Sequence, residues 1–449
     1  MPGGGGLLQL VAQGKQDVFL TGNPQITWFK MVYRRYTNFA VESQVMYFDG
    51  DPDFGRRLTC LVPRRGDLLG PITLEVVLPQ LTLTDGTPVP YTNAIGHALI
   101  EEITLEIGEQ EIDKQTGEWF ELWTQLSIPL GLQQGYGSMV GRVDGFLPPP
   151  AISPGDIFST DLYPDGSTKL FIPLQFWFNK NPGLYLPLLA MQYHPVRINL
   201  KLRPLQSLFY SPDLSGGCAP VQVDSAKIID MRMWGDYVFL DTEERRRFVA
   251  NSHEYLIEQI QYTPKISIPA DAATANINLE FNHPIRELIW VLRRDLMDGT
   301  NEHFNYSSIS INPNIEVGAN HDLMTQAVLQ VDGYDRFDTR DAGYFRLVQP
   351  FNYHSNVPKN FIYCYSFSLR PEDMQPSGSL NASRIDNMIL QITMRGDYRG
   401  PFTVTSANGR PNMNPYYTPP RGNCHARVYA KNHNVLRVVN GFAGLLFKI

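Results

Sequence analysis

Cysteine, charge and long apolar runs are all scarce in this 449-residue chain, and each scarcity removes a class of protein. The four cysteines, Cys60, Cys218, Cys364 and Cys424, lie far apart, with no CxxC pair among them. That excludes zinc ribbons and thioredoxin-type redox chemistry, and it points to a reducing, intracellular folding compartment. The longest nearly uncharged apolar stretches, such as Leu184–Met191 and Gly441–Phe447, fall well short of the ~18–20 residues that span a bilayer. The glycine-rich start has no basic region and no adequate apolar region, so it does not read as a signal peptide. Charged residues are 18% of the chain and sum to −7. A protein that neutralises many phosphates is ordinarily basic, so bulk nucleic-acid binding is disfavoured. The pairs Arg34-Arg35, Arg56-Arg57, Arg64-Arg65 and Arg293-Arg294 are scattered and offer at most a local patch.

Catalytic signatures are missing too. No two of the nine histidines are close enough for an HxH or HExxH element, and His253-Glu254 continues as Tyr-Leu-Ile. Gly135–Gly141 lacks the GxSxG order, and no GxxxxGK[ST] loop exists. Asp53-Phe54-Gly55 is a kinase-like tripeptide without the loops that would give it meaning. The pairs Glu101-Glu102 and Glu243-Glu244 sit on neighbouring positions, where side chains point apart. The expectation is therefore no catalytic, cofactor-binding or metal-binding residue, and no cofactor. Two N-glycosylation sequons occur, at Asn305 and Asn381; Asn381, just before an expected core strand, is the poorer acceptor of the two.

What the chain does have is 43% apolar residues, 12% aromatics, 36 glycines and 34 prolines. This suits many short strands joined by elaborate turns, in two domains. Val196, Ile198, Leu200 and Leu202 alternate with polar residues, as do Ile277, Leu279 and Phe281. Met388, Leu390, Ile392 and Met394 repeat the pattern. Helical spacing is confined to Gly117–Leu126, with Trp119, Phe120, Leu122, Trp123 and Leu126, and to a short helix after Asp241. There Asp241 can cap, Glu243 and Glu244 fill the first turn, and Arg245–Arg247 follow, the order the helix dipole favours.

An internal duplication organises the rest. Pro71–Leu78 resembles Pro284–Leu292, Leu105 and Ile107 match Leu329 and Val331, and Trp119–Leu122 matches Tyr344–Leu347. Phe171-Ile172 matches Phe361-Ile362, and the strand from Val196 matches the one from Met388. Two copies of one all-β unit, joined near Asp241–Asn251, are most simply two-sheet sandwiches of the jelly-roll kind. The first copy carries a long insertion, Thr124–Leu170, where the second has only Val348–Asn360; a loop that long usually carries function or contacts.

Longer words in the sequence resemble the major capsid proteins of nucleo-cytoplasmic large DNA viruses, including the algal-virus, iridovirus and marseillevirus groups. They are Gln9–Asp17, Leu20–Lys30 and Val32–Ala40, then Leu184–His194, Leu240–Phe248 and His253–Gln261. Tyr363–Leu369 with Arg370-Pro371-Glu372, Gln375–Gly378 and Ser383–Asn387 complete the set. Trp28 stands where Phe is common, and the Gly3–Gly6 run is unusually glycine-rich. The resemblance implies an all-β double jelly roll, two tandem eight-stranded antiparallel β-sandwiches with few short helices and long loops. The expected divisions are an N-terminal segment 1–25, a first jelly roll 26–240, a linker helix 241–250 and a second jelly roll 251–449.

The resemblance also implies a structural protein, not an enzyme, whose homotrimers form pseudo-hexagonal capsomers tiling an icosahedral shell over an internal membrane. Its partners would be itself, neighbouring capsomers, minor capsid and penton proteins and internal viral membrane proteins, with no direct nucleic acid. Its place would be the virion capsid, assembled in the host cytoplasm. Leu7–Lys30 would lie at the base facing minor capsid proteins, and Thr124–Leu170 would belong to the outer tower and intersubunit surface. The alternative is a two-domain jelly-roll carbohydrate-binding or glycan-processing protein, an idea resting on fold analogy alone.

Overall fold

The computed structural model of the protein describes residues 4–82, 88–142, 167–210, 226–308, 321–396 and 422–447. They fall into two units, one ending at Asn38 and one beginning at Phe39. The first holds two short helices, Gly4–Val11 and Asp17–Thr21, neither with a buried residue, followed by irregular chain. It extends past residue 25 because the first residue to enter a β-ladder is Phe39, opposite Leu240.

Two sandwiches make up the second unit. In the first, strand Phe39–Met46 pairs with Asp230–Leu240, which pairs with Leu68–Leu78, which pairs with Thr168–Pro173. The other sheet runs Arg57–Leu61, Val196–Leu202, Ile100–Ile107, Gln110–Thr116. Numbered along the chain, the first sheet joins the first, eighth, third and sixth strands, and the second joins the second, seventh, fourth and fifth. That order is the jelly roll.

The second sandwich repeats it strand for strand. His253–Tyr262, Cys424–Val439, Pro284–Arg294 and Tyr363–Ser366 form one sheet. Thr274–Asn278, Met388–Met394, Met324–Val331 and Tyr334–Asp335 form the other. Short strands Ile266–Ile268, Leu380–Asn381, Phe442–Leu445 and Arg340–Asp341 are added at the margins.

The duplicated words occupy equivalent places. Pro71–Leu78 and Pro284–Leu292 lie in the two third strands, and Val196–Leu202 and Met388–Met394 are the two seventh strands. In both seventh strands every second side chain is buried, the inward row that period-2 alternation places on one face. Ile277, Leu279 and Phe281 are buried as their alternation expects, although pairing stops at Asn278. One apolar core runs through both sandwiches.

Helix Gly117–Ser127 forms because Thr116 caps it, its hydroxyl accepting from the Trp119 amide at 3.2 Å. Gly117 opens it where a Cβ would overlap the carbonyl oxygens of His97 and Ile100. Helix Thr242–Ala250 is capped by Asp241, which accepts from the Thr242 amide at 2.7 Å. The insertion differs from a simple loop: Leu130–Val140 is a helix, ended by Gly141 at φ +70°. Residues 143–166 of that insertion, Cys218 and the Pro411–Pro420 stretch lie outside the described residues.

Candidate functional site: the seam between the sandwiches

The chemically richest part of the molecule is the seam where helix Gly117–Ser127 of the first sandwich meets strands of the second. Every residue from Gly117 to Leu126 is buried. Glu118 accepts from the Tyr429 hydroxyl at 2.7 Å and from Arg427 at 2.9 Å, both on strand Cys424–Val439. Tyr306 donates to its other oxygen at 3.3 Å. Burial alone would raise the Glu118 carboxyl, but Arg427 and Arg293 outweigh it and hold the pKa at about 2.

One turn on, Trp119 and Trp123 stack with centroids 5.6 Å apart, and Trp119 lies 5.7 Å from the Tyr429 ring. Lys431 sits 3.8 Å and Lys180 4.7 Å from the Trp123 ring centre, a cation–π arrangement strengthened by exclusion of water. Both ammonium groups, with Arg286, converge on Glu258. Lys180 is 3.2 Å and Lys431 3.3 Å from its carboxylate, and Arg286 donates to it directly. Lys180 belongs to the first sandwich and the other three to the second.

Further contacts cross the seam. The Ile260 amide donates to Asp113 at 3.1 Å, Gln259 donates to the Ile112 carbonyl, and the Asn356 amide donates to the Leu126 carbonyl at 3.0 Å. Arg203 donates to Nδ1 of His303 at 2.7 Å, while His303 Nε2 donates to the Ser207 carbonyl at 2.6 Å. Burial and Arg203 together push His303 down to about 3, so the ring is neutral.

A grouping that reads as catalytic turns out to be structural. His354 touches Glu287 through Nε2 and Glu372 through Nδ1, each at 3.1 Å, beside the buried Cys364. Burial opposes the charged ring, but Glu287 and its other partners win and raise His354 well above its ordinary value. A protonated imidazolium has no ring lone pair to accept a thiol proton. Burial also raises the Cys364 thiol, so the nucleophile is not activated.

A cavity of about 640 Å³ opens between the sandwiches, with Glu121, Arg142 and Tyr210 on one side and Glu302, His303 and His354 on the other. Its Glu121 and Arg142 are already engaged: Glu121 binds His97 at 2.6 Å and Arg142 at 3.3 Å. Among the described residues, no group of three or more His, Cys, Asp or Glu side chains could hold a metal ion. None of this network was visible in the sequence. Trp119 and Trp123 carry helical spacing, but Tyr429 and Lys431 lie some 300 positions on, and only the register of the folded strands brings them together.

The structure also sorts the residues the sequence singled out. Asn305 is buried, its amide donating to Glu302 at 2.6 Å and its oxygen accepting from Ser307. Asn381 is exposed, its side chain accepting from the Ser383 amide at 3.2 Å, which reverses the expected ranking of the two sequons. Several arginines of the scattered pairs are occupied internally. Arg64 donates to the Met191 carbonyl at 2.6 Å, Arg65 to the Val45 carbonyl at 3.0 Å and Arg294 to the Ser308 carbonyl at 2.7 Å. In the Arg245–Arg247 run, Arg245 pairs with Asp67 at 3.0 Å and Arg246 with Glu243 at 3.1 Å, as the structural reading of that helix expects.

Comparison with known proteins identifies what this architecture serves. The family model described as large eukaryotic DNA virus major capsid protein matches residues 244–444, and that for the major capsid protein N-terminus matches residues 27–241. The major capsid protein of Pyramimonas orientalis virus is 39% identical, covering 99% of each chain. That of Paramecium bursaria Chlorella virus 1 is 36% identical, again over 99% of each. The quasi-atomic model of the PBCV-1 virus capsid superposes with a TM-score of 0.75 at 32% identity, covering 94% of this chain and all of the other. The faustovirus major capsid protein shares the fold at a TM-score of 0.70 and 13% identity, covering 95% of this chain and 94% of that one. The glycan-processing alternative has no support in these relatives. The chain belongs to the major capsid proteins of the large eukaryotic DNA viruses and is a double jelly-roll structural protein, not an enzyme.

Proposed function

We propose that three copies of this chain close about a threefold axis into a pseudo-hexagonal capsomer, and that such capsomers tile an icosahedral virion shell. The observation that carries the reading is the strand-for-strand repetition of one sandwich within the chain. Two similar walls per copy, taken three times around a closed axis, give six similar walls and a tile that packs a hexagonal lattice. The seam supports it as well, since a tile needs its two walls held at one angle.

In this reading the working divisions are the N-terminal unit up to Asn38, the sandwiches over 39–240 and 251–449, and helix 241–250 as their connection. The partners are neighbouring copies first, then minor capsid and penton proteins, with assembly in the host cytoplasm. Light scattering on a sizing column tests it. A species near 153 kDa, three times the 50.9 kDa chain, is expected. A monomer that persists at micromolar concentration counts against self-assembly as the chain's own property.

A further inference from the structure

The N-terminal unit differs from the rest of the chain in both charge and exposure. Up to Asn38 it carries Lys15, Lys30, Arg34 and Arg35 against one acid, Asp17, for a net +3. The whole chain sums to −7, so the remainder carries −10. Thirteen large apolar or aromatic side chains between Leu7 and Tyr33 are each more than 60% exposed. So many exposed apolar side chains in one short segment mark an interaction site.

Its chemistry selects the partner. From Trp28 to Arg35 the chain reads Trp-Phe-Lys-Met-Val-Tyr-Arg-Arg, rings interleaved with cations and no acid. Aromatic rings of this sort settle at the headgroup level of a bilayer, while basic side chains reach lipid phosphates. Neither helix is long enough to cross a membrane, and the irregular backbone after Thr21 needs hydrogen-bond partners. Headgroups and interfacial water supply them; the hydrocarbon core does not. The negative remainder of the chain is repelled by an anionic surface, so only this unit is suited to approach one.

We propose that residues 4–38 dock the protein on an anionic lipid surface, lying in the headgroup layer without spanning it. The inference extends the partner reading above and is tested separately from it. Full-length protein is sedimented with vesicles of phosphatidylcholine alone or of phosphatidylcholine with phosphatidylserine, and its solution mass is measured in parallel. Binding is expected only with the anionic vesicles, and raised salt should release it. Arg34→Ala with Arg35→Ala should weaken it about tenfold or more. Trp28→Ala with Phe29→Ala should weaken it as well, with the solution mass unchanged for both double variants. No binding to anionic vesicles, or equal binding by all variants, overturns the proposal. If the variants instead lower the solution mass and leave vesicle binding intact, the unit is a protein-docking arm and the lipid assignment fails. Failure of vesicle binding with the 153 kDa species intact leaves the capsomer reading standing.

Discussion

Glu258 is one carboxylate facing three cations, and replacing it with Gln should be among the most damaging conservative changes in the protein. The residue is 4% exposed and contacts Lys180, Arg286 and Lys431, two of which are themselves completely buried. Burial pushes its pKa up, but Lys431, Lys180 and Arg286 outweigh burial and hold it at about 2 against an ordinary 4.5; burial likewise pushes Lys431 down to about 7, so that partner is fully charged only below neutral pH. On that basis the anion is about 3 kcal/mol better placed in the fold than in the unfolded chain. Stranding buried cations costs about 3–5 kcal/mol by independent reasoning, so the two routes agree. For a cooperative unit of this size the loss corresponds to a fall of roughly 3–6 °C in the melting midpoint.

The sign of the pH dependence follows. The folded pKa is depressed, so this stabilisation is fully present above the unfolded value and is lost as pH falls from about 4.5 toward 2. Melting curves of wild type and Glu258→Gln should differ most at neutral pH and converge in acid. Adding Lys180→Met to the variant should recover part of the loss, because it removes one stranded charge. A variant that melts within about 1 °C of wild type at pH 7 would refute the reasoning, since surface substitutions alone reach that level. A gap that stays constant into acid would refute the electrostatic part of it.

Other outcomes follow from single positions. Gly117→Ala should destabilise by about 3 kcal/mol or more, because the new Cβ would overlap two backbone carbonyl oxygens; denaturant titration measures it. Asp113 is raised to about 7 by burial, although the Ile260 amide, Gln115 and Lys180 pull the other way. The folded state then holds a proton that the unfolded chain releases, so stability falls as pH rises from about 4 to 7. Asp113→Asn should flatten that slope, and a slope unchanged in melting curves across that range would count against the assignment. In a host that N-glycosylates, peptide mapping should find any glycan on Asn381 and none on the buried Asn305. Asn381→Gln should then abolish it.

Much of the fold is legible in the sequence because strands announce themselves locally. Val196–Leu202 and Met388–Met394 alternate without interruption, and both are buried on every second residue. The duplicated anchors Pro71–Leu78 and Pro284–Leu292 already indicated two equivalent third strands. Helix Leu130–Val140 was missed because Gly131, Gly135 and Gly137 make a poor helix by propensity; Gln133, Tyr136 and Val140 are buried nevertheless, and tertiary packing decides. The seam was illegible for a different reason. Glu118 and Arg427, or Lys180 and Lys431, carry no local sign that they meet, and nothing in His253–Gln261 marks Glu258 as the carboxylate on which three basic groups converge.

The polar character of that seam calls for an explanation, because apolar replacements of buried ion pairs are often neutral or stabilising. Dispersion and area burial tolerate sliding: an apolar interface shifted by one residue still buries most of its surface. The seam does not. Glu118 is met by hydroxyls from Tyr429 and Tyr306 and the guanidinium of Arg427 at 2.7 to 3.3 Å, and Glu258 by Lys180 and Lys431 at 3.2 and 3.3 Å and by Arg286 directly. Moving one sandwich by a strand spacing of about 4.8 Å would leave Glu118 buried without Arg427, at about 3–5 kcal/mol, and would part Glu258 from Lys180. The apolar core supplies the adhesion, and the charged groups select one register and one angle between two walls that are otherwise near-copies. That division of labour is what Glu118→Gln probes: the variant should lose stability while its two sandwiches keep their separate strand patterns.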